Sequence, residues 1–173
     1  TELIDRDSFK NTGQFLLENK IHCNGVVEAQ QNIRSLATNQ AAKNLCIFAI
    51  KNGVFGLQPA LPVDSSGGIS TDPIQPAQIF SKGNILDGSF KLQYQSAEDL
   101  RKVGYSVRWR FTPSYELPEE RTAVVFFNGP EPDVIEDLDL TQFCDNEAQA
   151  LMVARFTLAS RRFTYHSIAV QTT

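Results

Sequence analysis

The chain has 173 residues, 42% of them hydrophobic, with a formal net charge of -4 and a pI near 5.2. That apolar share builds a core and argues against a disordered segment. The negative balance argues against a surface made to grip phosphates, which needs clustered lysine and arginine.

Residues 1–20 are mixed, with Phe15-Leu16-Leu17 either a short helix or a loop anchored on the core. Ile21 to Val27 alternates in part and reads as a strand leading into a helix from about Glu28 to Asn44. In that helix Ile33, Leu36, Ala37 and Ala41 recur at spacings of three and four and make one narrow stripe. The clearest local signal follows. Leu45 to Ile50 and Val54 to Leu57 flank Asn52-Gly53, the preferred two-residue hairpin turn, because its backbone needs positive φ at both central positions. Pro59 and Pro62 stop the second strand. Residues 58–78, with Ser65-Ser66-Gly67-Gly68 and Pro73 and Pro76, form a linker-like stretch, either a mobile surface loop or a subdomain boundary.

Beyond it, Phe90, Leu92 and Tyr94 alternate with Lys91, Gln93 and Gln95, the pattern of a half-buried strand. Ala97 to Arg101 suggests one helical turn. Tyr105, Val107, Trp109 and Phe111 alternate with Ser106, Arg108 and Arg110, a long strand with one wet face. Pro113 and Pro118 bracket a loop, Thr122 to Phe127 is a strand, and Asn128 to Pro132 is a turn. Ile135 to Phe143 is acidic and extended. A helix from about Asn146 to Arg161 takes Asp145 as its N-cap and carries Leu151, Ala154 and Leu158 on one stripe, with Ala148, Met152 and Phe156 beside it. Phe163 to Val170 reads as a final strand. The fold class that follows is α+β, with antiparallel sheets packed against two main helices. Residues 1–80 form an α+β subdomain and 81–173 an antiparallel β subdomain with a C-terminal helix and strand. The start at Thr1 and the strand-like end suggest a piece of a longer polypeptide.

Few residues invite chemistry. Cys23, Cys46 and Cys144 are odd in number and widely spaced, so they read as buried free thiols rather than a disulfide framework, and no zinc-ligand spacing occurs. His22 and His166 lie in expected strands without a nucleophile elbow or a following acid. Glu131, Asp133, Glu136, Asp137 and Asp139 lack a calcium-loop pattern and read as a solvated, mutually repelling segment rather than a hydrolytic pair. Arg108 and Arg110 pair with Glu119, Glu120 or a neighbouring subunit in preference to nucleic acid. No catalytic, metal or cofactor residue is assigned, and the expectation is a non-enzymatic chain without a cofactor. The longest dense apolar run, Leu45 to Ile50, is too short to span a bilayer, and no signal peptide is present.

Three stretches carry a resemblance. The first runs from Cys23-Asn24-Gly25-Val26-Val27-Glu28-Ala29-Gln30-Gln31-Asn32 to the Asn52-Gly53 hairpin and Pro59. The second is Gly83-Asn84-Ile85-Leu86-Asp87-Gly88-Ser89-Phe90 with Val107 and Trp109 after it. The third is Leu138-Asp139-Leu140, then Glu147-Ala148-Gln149-Ala150 and a helix ending at Arg161-Arg162. In this order they resemble the central hub region of siphophage tail-tip proteins of the host-specificity protein J type. The resemblance spans most of residues 20–165 and contains no catalytic signature. It implies a structural part of a tail tip, or baseplate hub, in the virion. Such hubs are usually trimeric, include tube-like β-barrels, meet neighbouring tail proteins, and let DNA pass. Host receptor binding would lie in other regions of the parent, and this piece would not insert into a membrane. The net charge of -4 suits a lumen along which DNA slides without sticking. The alternative is a receptor- or glycan-binding module using Tyr115, Phe126 or Phe127 as a platform. A cell-wall hydrolase using Glu136 and Asp137 ranks below both.

Overall fold

The computed structural model describes residues 3–27, 30–76, 78–96, 103–112, 117–127 and 132–172. The fold is α+β. Helix α1 (Arg6–Glu18) and helix α2 (Ile33–Lys43) precede a hairpin of β1 (Cys46–Lys51) and β2 (Val54–Pro59). Strand β3 (Lys91–Tyr94), β4 (Val103–Phe111), β5 (Glu119–Val125) and β6 (Val134–Asp139) follow, then α3 (Glu147–Phe163) and β7 (His166–Ala169). The strands form three separate sheets: β1-β2, β3-β7 and β5-β4-β6. Within them β4 runs antiparallel to β5 and parallel to β6. Among the described residues no closed barrel forms.

The hairpin follows the sequence reading. Asn52 and Gly53 take φ of 52° and 79°, and β2 ends at Pro59. The stacked rings of Phe48 and Phe55, 5.9 Å apart, brace one face. Helix α1 was legible only as a fragment around Phe15, and it runs from Arg6 because Asp5 caps it, its side chain accepting from the Ser8 N–H. It packs on β2 through buried Phe15 and Thr12, whose hydroxyl donates to the Leu57 carbonyl at 2.7 Å.

Several expected boundaries shift: α3 continues to Phe163, so the last strand runs His166–Ala169 rather than Phe163–Val170, and the strand expected at Thr122–Phe127 is Glu119–Val125. Helix α2 begins at Ile33 rather than Glu28, because the Asn32 side chain accepts from the Arg34 and Ser35 N–H groups. Ile33 is exposed, so the buried stripe is shorter than the periodicity suggests. The cap of α3 is Asn146, accepting from the Ala148 N–H, while Asp145 instead accepts from the Asn24 side chain. The α3 stripe also turns: Ala150, Val153, Ala154 and Leu158 are buried together with polar Gln149, and Leu151, Met152 and Phe156 flank them.

Residues 21–27 are not a strand. Side chains rather than a ladder hold the segment. Gln149 accepts from the His22 N–H and donates to the His22 carbonyl, both at 2.9 Å. Its second amide hydrogen serves Asn44 Oδ1 at 2.9 Å, so the buried Gln149 amide is satisfied and joins both halves of the chain. Asn24 N–H donates to the Phe143 carbonyl, and Gly25 presses so close that an added Cβ would collide with the Gln142 carbonyl oxygen and the Phe143 ring.

The first half of the 58–78 stretch is a built turn. The Asp64 carboxylate accepts from Ser66 N–H, Ser66 hydroxyl and Gly68 N–H, and Val63 bridges Ile69. Gly67 needs its φ of 95° and packs on Gln14 of α1. The expected helical turn at 97–101 and most of the turn at 128–132 lie outside the described residues.

The main sheet is backed by α3. On β4 the residues Tyr105, Val107 and Trp109 are buried, as their alternation predicts, while Phe111 is half-buried and Val103 extends the buried face. One core cluster draws on Phe15, Ile21, Leu45 and Cys46 from the first part of the chain and on Val107, Trp109, Leu140 and Leu158 from the rest.

Candidate functional site

The residues the sequence singled out do not converge. His22 is exposed and held through its backbone, whereas His166 lies on exposed β7 with its ring 6.1 Å from that of Tyr94. Among the described residues no hydrogen bond or ring contact joins His166 to Cys23. The thiols divide. Cys46 and Cys144 are buried, and burial pushes the Cys46 thiol up to about 11. Cys23 corrects the expectation of three buried thiols, being an exposed residue, although partial burial still raises its thiol and Asn44 opposes that by hydrogen bonding.

The acidic segment is more engaged than a repelling surface run. Glu136 is half-buried and ion-paired with Arg161. Hydrogen bonds first to Tyr105 and then to Glu136 hold the Arg161 guanidinium protonated above its usual range. Asp139 accepts from the Thr141 hydroxyl (2.7 Å) and N–H (2.9 Å), which hold its carboxyl below the usual range, with Arg108 and Lys43 adding to the effect. Asp133 and Asp137 are exposed, and Glu131 lies outside the described residues. Arg108 sits between Glu120 (3.9 Å) and Asp139 (3.6 Å), tying three strands, and Glu119 meets Arg121 at 3.9 Å. These pairs are largely exposed and contribute about 0–1 kcal/mol each. What they do is place charge along both outer strands of the sheet.

The aromatic platform is divided too. Phe126 is exposed, while the half-buried Phe127 ring meets Phe163 edge-on at 5.7 Å and carries Arg162 at 4.7 Å. Tyr115 lies outside the described residues. An apolar cleft of about 240 Å³ opens between α1, α2 and the hairpin, walled by Phe9, Leu16, Ile21, Ala41 and Phe48. Gln40 lines it, and its Oε1 is buried without a hydrogen-bond partner among the described residues. Asn44 and the free thiols of Cys23 and Cys46 also line it.

The β3-β7 ribbon presents an exposed apolar face. All eight residues of the two strands are exposed. Leu92 faces Ile168 and Tyr94 faces His166, with Phe90 next on the same face; Phe90, Leu92, Tyr94 and Ile168 are 53%, 41%, 71% and 56% exposed. This corrects the expected half-buried strand at 85–95. The ribbon is extended by a bridge between Ile85 and Thr172 and by Leu86 N–H donating to the Gln171 carbonyl. The ladder phase is fixed by Gln95 N–H donating to the Tyr165 carbonyl at 2.9 Å. In an antiparallel ladder bonded and non-bonded pairs alternate, so Gln93–Ser167 and Lys91–Ala169 bond to each other. The backbone groups of Leu92, Tyr94, His166 and Ile168 therefore point outward along two open edges. Among the described residues no third strand joins them.

Sequence reading found the β3 half of this feature and the strand at its C-terminal partner, but not their pairing, which spans about 75 residues of chain and has no local signal. The signal it overlooked is chemical: from Thr164 to Thr172 no residue carries a formal charge with His166 neutral. Gln149 carries no local signal in the sequence, and its role as the joint of the core appears only in three dimensions. No protein-family model matches the chain, and a search of curated proteins finds no match.

Proposed function

We propose that this chain is a structural component of a phage tail tip, or baseplate hub, helping to close the distal end of the tail tube and to support host attachment and DNA passage. The observation that carries the structural half of this reading is the ribbon. An isolated two-stranded ribbon is marginal in water, and a contiguous apolar face without a cover marks an interaction surface. The resemblance across residues 20–165 supplies the setting. In that setting the partners are other tail-tip subunits, as a homotrimer of the full-length protein, and neighbouring tail proteins. A virion location and a non-enzymatic role belong to the same proposal.

The receptor- or glycan-binding alternative has less behind it, since Phe127 is engaged by Phe163 and Arg162 rather than offered to a ligand. Immunogold labelling with antibodies against the chain, on tail particles purified from the source bacterium, tests the proposal. Label at the distal tail end is the expected result. Particles that never carry label, with the chain found elsewhere in the cell, contradict it.

A further inference from the structure

We infer that the β3-β7 ribbon pairs edge to edge with the ribbon of a second copy of this chain, the β3 edge of one against the β7 edge of the next. The inference rests on the assembly reading above and names its partner and its contact.

The three-stranded sheet protects its own edges. Its outer strands carry Glu119, Glu120 and Arg121 on β5 and Glu136, Asp137 and Asp139 on β6. Charge on an edge strand blocks pairing with another chain. The ribbon lacks this protection: β7 carries no formal charge and β3 only Lys91, and neither strand contains proline. The outward N–H and C=O groups of Leu92 and Tyr94 on one edge, and of His166 and Ile168 on the other, present the complementary pattern of an unfinished ladder.

Charge and topology select the arrangement. Joining two β3 edges brings two copies of Lys91 into one interface, which like-charge repulsion disfavours. Joining β3 to β7 opposes no like charges. It also uses both edges of every copy, whereas self-pairing of either strand leaves the other edge open. A β3-to-β7 contact is head to tail, and a closed ring of copies leaves no free edge. With Leu92 opposite Ile168 of the next copy, the apolar faces run on without interruption.

Sedimentation equilibrium of the 173-residue chain tests this, with Leu92→Glu and Ile168→Lys studied alone and mixed, and with Trp109 near-ultraviolet circular dichroism to establish folding. The wild-type chain is expected to self-associate. Each variant alone should weaken association roughly tenfold or more. The equimolar mixture should regain part of it, because wherever the two variants alternate the introduced carboxylate meets the introduced ammonium at one contact and the other contact is wild type. A wild-type chain that stays monomeric overturns the inference. So do variants without effect, a loss confined to one of the two, or a mixture that regains nothing. Tail-tip label with a monomeric chain would defeat this inference alone. Self-association without tail-tip label would defeat the phage setting alone.

Discussion

The three-stranded sheet and the β3-β7 ribbon have the same sequence pattern and opposite fates. Tyr105, Val107 and Trp109 alternate with polar residues and are buried under α3. Phe90, Leu92 and Tyr94 alternate in the same way and remain exposed. Alternation therefore tells which face of a strand is apolar. It does not tell whether the covering layer belongs to the same chain. The edges give the second difference, since the sheet is bordered by charge and the ribbon is not.

The sharpest way to break this comparison is to truncate one apolar residue in each region. Trp109→Ala should cost about 3–5 kcal/mol in urea unfolding, as expected for a large buried aromatic. Ile168→Ala, measured on the dilute chain, should stay within about 0.5 kcal/mol. A large loss at Ile168 would mean that the ribbon is already packed within the monomer.

Gln149→Leu comes next. It strips partners from the His22 N–H, the His22 carbonyl and Asn44 Oδ1, and should cost about 2–3 kcal/mol because buried polar groups lose their bonds. Ribbon cross-peaks in nuclear magnetic resonance should stay put, separating the joint of the core from the ribbon. Gly25→Ala should cost about 1–3 kcal/mol by overpacking, since its Cβ would meet the Gln142 carbonyl and the Phe143 ring.

The smallest effect is electrostatic. Asp139 has a depressed folded-state pKa, so the stability it adds is present above its unfolded value and is lost as pH falls through the folded one. Asp139→Asn should therefore flatten the acid limb of the stability profile below about pH 4, where the unfolded carboxyl titrates. The ribbon residues Leu92, Ile168 and Ser167 do not titrate and should contribute nothing to that limb. An unchanged acid limb would remove Asp139 from the account of the charged edge.

Much of the fold was legible because its signals are local. Asn52-Gly53 specifies its own turn, and β4 announces its buried face. The exceptions arise where side chains override pattern. Asn32 delays the start of α2, Asp5 starts a helix whose apolar face is thin, and Gln149 replaces a ladder over residues 21–27. The candidate site was harder to read. Its two strands are each visible in sequence, but their pairing and the outward direction of the Leu92 and Ile168 backbone groups depend on the assembled backbone.

The central claim is that the ribbon is an unfinished sheet completed by another copy. Amide hydrogen exchange measured across a range of protein concentrations tests it residue by residue. Lys91, Gln93, Ser167 and Ala169 bond within the ribbon, so the protection they gain there does not depend on a second copy. Leu92, Tyr94, His166 and Ile168 should exchange fast in dilute protein and become protected as concentration rises. Outward amides that exchange equally fast at every concentration would contradict the account.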